Sequence, residues 1–353
     1  MSTTRAPFGR TMTAMITPMA RDGAIDYDGA ARVATYLVDD MRNEGLVVNG
    51  TTGEAPTTTD EEKERLLKTV IEAVGDRAKI VAGVGTNITA HTIHLARQAQ
   101  DAGADGLLVV TPYYNKPAQD ALAAHFLAVA DSTDLPIVIY DIPGRTGSAV
   151  ATDTLVKLAA HPNIVGVKDA KDDLNATSHV LTRTDLVYYS GTDLLNLPLL
   201  SIGAVGFVSV VGHVVGDRLL ELVRAHEAGR NADAIRIHRE LLPVYDGIFR
   251  NQGVVMAKAA LDLLGLPGGT VRQPLLPASD AERQRLREDL TAGQVKLPGL
   301  HHSRPGNDLY GGLGVPPGDT GRTLALGQHD AGTSTGTRDS ACPRAAHRPR
   351  SSD

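Results

Sequence analysis

The sequence predicts an α/β protein: a (β/α)8 TIM barrel followed by a C-terminal helical appendage and a disordered C-terminal tail. Three observations lead there. Eight short apolar runs recur along the chain, spaced by roughly 25–35 residues, the length of one strand-plus-helix unit. The segments between them carry apolar positions at helical spacing mixed with charge. A doubly wound sheet is the main rival, but eight consecutive units run without a domain break. The dinucleotide-binding fingerprint is also missing, since Gly83-Val-Gly85 is followed by Ile88 where the third glycine belongs.

In chain order, the strand candidates are 11–17, 45–49, 79–85, 106–111, 136–140, 164–168, 187–190 and 206–211. The first intervening helices are expected over 27–44, 59–74 and 89–102. Thr59-Asp-Glu-Glu62 suits a helix start, with an N-cap hydroxyl followed by carboxylates at the positive end of the dipole. Thr89 precedes the next helix and Gly103 suits its C-cap. After the eighth strand, helical patterns at 217–227, 231–249, 252–264 and 279–290 exceed one barrel helix. The expected organisation is a catalytic barrel over 8–215, the last barrel helix and appendage over 216–296, and a tail over 297–353. From about His301 the chain has no Ile, Phe, Met, Lys or Glu. Such a stretch buries too little apolar surface to offset its ordering entropy. It is read as an adventitious extension, despite the basic residues Arg344, Arg348 and Arg350 near its end, and removing it after Leu300 is expected to leave the rate unchanged.

Composition narrows the class. The 353 residues include no tryptophan and four phenylalanines, so the core must be aliphatic. A formal charge of -6 argues against general nucleic-acid binding. No apolar run is long enough to span a bilayer, and the first residues lack the apolar core of a signal peptide, so a cytoplasmic location is expected. The single cysteine, Cys342, excludes a disulfide framework within the chain and a cysteine-based zinc site. His91 and His94 are three apart on an expected helix without a third ligand, and His301-His302 lies outside the folded core, so no metal site is expected.

The chemistry centres on Lys168 in Ile164-Val-Gly-Val-Lys-Asp-Ala170. Strict alternation puts Ile164, Gly166 and Lys168 on one strand face, and Gly166 leaves room for a small molecule. A lone lysine in such a place is ordinarily a surface cap. At the C-terminal end of a barrel strand it is instead desolvated, which lowers its pKa and makes the amine nucleophilic. The other strand ends converge on the same rim. The second ends in Asn49-Gly-Thr-Thr-Gly-Glu54, two hydroxyls between glycines that suit a carboxylate. The fourth ends in Val110-Thr-Pro-Tyr-Tyr-Asn-Lys-Pro117, and the fifth in Ile139-Tyr-Asp-Ile-Pro-Gly-Arg-Thr-Gly147. Tyr140 points inward with Val138, and Arg145 is suited to clamp a carboxylate. The seventh ends in Tyr189-Ser-Gly-Thr-Asp193 and the eighth in Gly206-Phe-Val-Ser-Val210. A tyrosine can donate and accept the protons of carbinolamine formation and dehydration. The set points to Schiff-base chemistry on a small keto acid.

Gly50-Thr-Thr-Gly-Glu54, Pro112-Tyr-Tyr-Asn115, Tyr140-Asp-Ile-Pro-Gly-Arg-Thr-Gly147 and Gly166-Val-Lys-Asp-Ala170 together resemble the dihydrodipicolinate synthase / N-acetylneuraminate lyase family over about residues 8–296. The resemblance implies a Schiff base between pyruvate and Lys168, with no other cofactor. It implies Thr52 as the pyruvate carboxylate site. Tyr140, Thr51 and Tyr114 would form a proton relay, Tyr114 coming from the neighbouring subunit. Arg145 would hold the carboxylate of L-aspartate 4-semialdehyde, and Gly191 and Val208 would line the pocket. The product lies on the route to diaminopimelate and lysine, and a homotetramer built from tight dimers is implied. The family's lysine-feedback positions match Ala55, Pro56, Asp60, Lys63, Asn87, His91 and Tyr113. Lysine-sensitive members carry a hydroxyl, two histidines and a glutamate where Ala55, Asp60, Lys63 and His91 stand here, so weak or absent feedback is expected. Two rival functions remain. A sugar-acid lyase of the same family shares the lysine, tyrosine and anion loop, and Arg145 with Tyr114 argues for the shorter, carboxylated aldehyde. A non-catalytic ligand-binding barrel would not need the reactive set.

Overall fold

The computed structural model describes residues 6–298. Of the expected tail over 297–353, Leu297 and Pro298 are described and Leu297 packs against the core, so the tail begins later than expected; the rest, with Cys342, the two adjacent histidines and the terminal arginines, lies outside the described residues. Eight parallel strands close on themselves: β1 (Thr11–Ala14), β2 (Gly45–Val48), β3 (Lys79–Gly83), β4 (Gly106–Val110), β5 (Ile137–Asp141), β6 (Ile164–Asp169), β7 (Val187–Ser190) and β8 (Gly206–Ser209). The closing pair sets Thr11 opposite Phe207 and Met12 opposite Val208. At that seam glycine is required, because a Cβ on Gly206 would lie 2.1 Å from the Arg10 carbonyl oxygen.

Two apolar layers surround the strands. The inner one fills the barrel with Met12, Ala14, Val47, Val81, Leu108, Val138, Tyr140, Tyr189 and Val208. Phe8 belongs to it and packs where β4 begins, against Gly106. The outer layer packs Leu46, Ile80, Leu107, Ile139 and Val167 against the helices. Inward and outward residues alternate along the strands other than β6, as the pleat requires.

The eight strands stand where the apolar runs predict, and several end earlier. β2 stops at Val48 because Asn49 turns into the left-handed region at φ 60°. β6 corrects the expected facing. Its register against β5 skips a residue between the Ile137–Ile164 and Val138–Gly166 pairs. This bulge puts Ile164 in the outer layer with Val167, while Val165 packs against the inner cluster. Ile164 therefore does not share the face of Lys168. Gly166 is also not substrate room: a Cβ there would meet the Val187 carbonyl oxygen at 2.6 Å.

The helices follow their caps. Asp26 accepts from the Gly29 amide to start Tyr27–Asp39, which stops short of the expected 44. Thr59 and Glu62 form a capping box on Asp60–Val74. Ser279 and Glu282 repeat it on Asp280–Ala292. Thr89 lies inside its helix, Thr89–Asp101, which has no side-chain cap, and Gly103 follows at φ +90°. The helix after β8 begins at Gly212, so the expected boundary at 215/216 falls inside Gly212–Glu227. The pattern expected as one helix over 231–249 is two, Asn231–Glu240 and Leu242–Phe249, because Pro243 has no N–H to continue the first. The helix Gly253–Leu263 completes the appendage with Asp280–Ala292.

Candidate active site

The C-terminal strand ends meet at one rim. In the register, Tyr140 of β5 stands opposite Lys168 of β6, and Lys168 stands opposite Tyr189 of β7. Three consecutive strands thus set Lys168 in register between two tyrosines, and the Tyr189 hydroxyl accepts from the Phe8 amide at 3.4 Å. Lys168 is 5% exposed, and its Nζ lies 4.0 Å from the centroid of the Tyr140 ring. Burial lowers its pKa to about 7; Asp193 nearby works against that shift and Arg145 adds to it. Much of the amine is therefore neutral at physiological pH and carries a free lone pair. Burial also pushes the Tyr140 hydroxyl up to about 12, opposed by Arg145 and by the Thr51 hydroxyl. Tyr140 stays protonated and can donate.

The loop after β2 carries the donors that suit an anion. The amides of Gly53 and Ala55 donate to Gly50, and that of Glu54 donates to Thr51, closing a tight turn. The amides of Thr51 and Thr52 make no hydrogen bond among the described residues. Two unpaired N–H groups beside two hydroxyls form a concavity for a carboxylate. Thr17 Oγ1 donates to the Gly53 carbonyl at 2.7 Å and ties this loop to the chain beyond β1.

Arg145 sits on the short helix Pro143–Thr146 after β5 and is solvent-exposed, with Nη2 3.0 Å from Gln252 Oε1. Thr51, Tyr140 and Arg145 line a cavity of about 390 Å³. The same cavity is walled by Ala55, Pro56, Asp60, Lys63, Asn87, His91 and Tyr113. Lys168, Thr52, Gly191 and Val208 are not on its wall. Gly191 instead packs on the lysine: a Cβ there would be 3.1 Å from Lys168 Cε. Glycine at 191, not at 166, is what gives the lysine side chain its space. Val208 is buried in the inner cluster with Tyr140. Tyr114 is 90% exposed and takes no part in this rim within its own chain.

Two groups went unassigned in the sequence. Asp193, 2% exposed, accepts from the Val210 amide at 2.9 Å, the Val211 amide at 3.1 Å and Asn196 Nδ2 at 3.0 Å, and it also accepts from Ser209. It anchors the loop after β8 and lends negative charge near Lys168. Lys258 is buried in an apolar helix and ion-paired to Glu54. Its signal is a single cation within Gly-Val-Val-Met-Ala-Lys-Ala-Ala260. Among the described residues no three His, Cys, Asp or Glu side chains are grouped to hold a metal, and no helix is long and apolar enough to cross a membrane.

Comparison with known proteins decides the family. A family model described as the Dihydrodipicolinate synthetase family matches residues 7–293. The chain belongs to that family. It is 62% identical over 287 residues to the 4-hydroxy-tetrahydrodipicolinate synthase of Acidothermus cellulolyticus, covering 81% of this chain and 93% of that one. It is 57% identical over 296 residues to 4-hydroxy-tetrahydrodipicolinate synthase 2 of Streptomyces coelicolor, covering 84% and 99%. Among solved structures, the dihydrodipicolinate synthase of Cyanidioschyzon merolae with lysine bound superposes with a TM-score of 0.80 at 38% identity, covering 82% of this chain and 99% of that one. The Aquifex aeolicus dihydrodipicolinate synthase gives 0.80 at 36% identity, covering 83% and 100%. The match spans barrel and appendage alike, and the chain is an enzyme, a lyase with 4-hydroxy-tetrahydrodipicolinate synthase activity.

Proposed function

We propose that Lys168 forms a Schiff base with pyruvate and that the resulting enamine condenses with L-aspartate 4-semialdehyde. The observation that carries this reading is a lysine buried between Tyr140 and Tyr189, with its pKa lowered to about 7. The neutral amine attacks the keto carbon of pyruvate, whose carboxylate rests on the Thr51–Thr52 turn. Tyr140 gives a proton to the carbinolamine oxygen, and water leaves. Thr51 beside Tyr140 connects the phenol to the rim, and Tyr114, exposed on a loop at φ 75°, is assigned to the relay of a neighbouring subunit. Loss of a methyl proton from the imine gives the enamine. Its carbon attacks the aldehyde, forming the C–C bond and a hydroxyl. The semialdehyde's own amine then attacks the imine carbon and expels Lys168, closing the heterocycle and restoring the free lysine.

Arg145 holds the aldehyde's carboxylate in this reading. Gly191 makes room beside the lysine and Val208 supplies the apolar floor. No metal or redox cofactor takes part in any of these steps. The assembly is taken to be a homotetramer of tight dimers, acting in the cytoplasm. The test is borohydride trapping with pyruvate followed by intact mass. The expected result is one reduced pyruvate per chain, lost in Lys168→Ala; an adduct that survives Lys168→Ala overturns the assignment. Omitting the semialdehyde separates this step from the condensation. Offering N-acetylneuraminate-type sugar acids in its place distinguishes the lyase reading, against which Arg145 together with Tyr114 argues.

A further inference from the structure

The loop that carries Thr51 and Thr52 is held by the appendage as well as by Thr17 beyond β1. Glu54, the last residue of that loop, is 3% exposed and adopts φ 57°, a left-handed conformation for a residue with a side chain. Its two carboxylate oxygens are both taken by the C-terminal region. Oε1 pairs with Lys258 Nζ at 2.5 Å, and Oε2 accepts from the Arg272 amide at 2.9 Å. Lys258 is 2% exposed and spends a second hydrogen bond on the Thr270 carbonyl. Arg272 then reaches over the loop. Its guanidinium donates to the Thr57 carbonyl at 2.5 Å and to both oxygens of Glu62 at 2.7 and 2.5 Å.

A buried ion pair is weak evidence for stability, because desolvating both charges offsets their attraction. Its geometry is nevertheless specific, and this one joins residues 204 apart in sequence. One end lies two residues from Thr52 and three from Thr51. We infer that Glu54, Lys258 and Arg272 are positioning residues, through which the C-terminal appendage fixes the carboxylate-binding turn at Thr51 and Thr52. The inference rests on the assignment of that turn to pyruvate. None of the three touches substrate; they act through the turn.

The expected signature is in pyruvate affinity rather than in the chemistry at Lys168. The measurement is half-saturation of borohydride-trapped adduct against pyruvate concentration, in the full chain, for Lys258→Met, Arg272→Gln and the double variant E54Q/K258M. Lys258→Met leaves the Glu54 carboxylate buried without its cation, and a roughly tenfold rise in half-saturation is expected, with adduct at saturating pyruvate still one per chain. Arg272→Gln keeps the backbone bond to Glu54 and removes only the guanidinium contacts, so a smaller rise in the same direction is expected. The double variant removes both charges and so avoids the uncompensated buried carboxylate of the single one, and its half-saturation is expected to lie between wild type and Lys258→Met. A purely structural role would lower the thermal midpoint and leave pyruvate affinity alone. Half-saturation within twofold of wild type in every folded variant therefore overturns the inference. Absence of adduct in the unaltered chain overturns the Lys168 assignment instead, and the inference with it.

Discussion

Lys168 owes its desolvation to where the barrel register puts it. Tyr140 and Tyr189 flank it on the adjoining strands, and water is largely excluded. The folded-state pKa of about 7 lies below the ordinary 10.5, so between those values the unfolded chain binds the extra proton. Stability should therefore rise with pH across that window, because the penalty of protonation in the folded state is full below about pH 7 and fades above it. Lys168→Met should unfold at a higher temperature than the wild type at pH 7, and calorimetry should find the gap closing toward pH 10. In the proposed mechanism the same titration governs the rate. Trapping with pyruvate should accelerate as pH rises through about 7 and then level off; a midpoint near the ordinary lysine value would contradict the desolvated site. The lysine and Tyr140 could be picked out from residue types at strand ends; Tyr189 was not, and its hydroxyl accepts from the Phe8 amide. That Ile164 turns away from Lys168, and that Gly191 rather than Gly166 makes the room, could not be read, because a one-residue bulge breaks the period of two.

At the level of elements, helix starts were the most legible features. Thr59-Asp-Glu-Glu62 announces a capping box, and the fold contains it, with the Glu62 amide 3.2 Å from Thr59 Oγ1 and the Thr59 amide 2.9 Å from Glu62 Oε2. Thr59→Ala should cost about 1 kcal/mol, read as a shift of the denaturant midpoint at constant slope. Glu62 also pairs with Arg272, so Glu62→Ala should cost more than Thr59→Ala and should move pyruvate affinity as well. Helix ends were less legible. The break between Glu240 and Leu242 depends on one proline, and the end at Asp39 on how the chain must turn to enter β2.

For the whole molecule, the exposed Tyr114 is the feature a single chain does not explain. If it completes a neighbour's relay, Lys168→Ala and Tyr114→Phe subunits should each be nearly inactive alone. Co-refolded at equal amounts, they should recover about a quarter of the wild-type rate, since half the dimers are mixed and each mixed dimer holds one intact site. No recovery would place Tyr114 outside the relay. The cavity next to this residue carries its own prediction. Lys63 occupies its wall and donates to the Thr58 carbonyl, while Asp60 is engaged by His91 at 2.9 Å. A cationic amino acid gains little from that wall, so a lysine titration should show half-inhibition only above the millimolar range, whatever the Cyanidioschyzon merolae enzyme does with the lysine bound to it.

By itself the sequence determined eight strands, their order and the side chains at their C-terminal ends, because burial periodicity and barrel topology are local and repetitive. It singled out Lys168 and the Gly50–Glu54 turn as the candidate nucleophile and anion site, because several reactive residue types converge on those strand ends. Only the tertiary structure decided what those groups feel. Barrel closure aligned Lys168 with two tyrosines, the β6 bulge chose which residues face it, and the return of the appendage brought Lys258 and Arg272 onto Glu54. Those contacts join strands and helices far apart in the chain, so no local pattern records them.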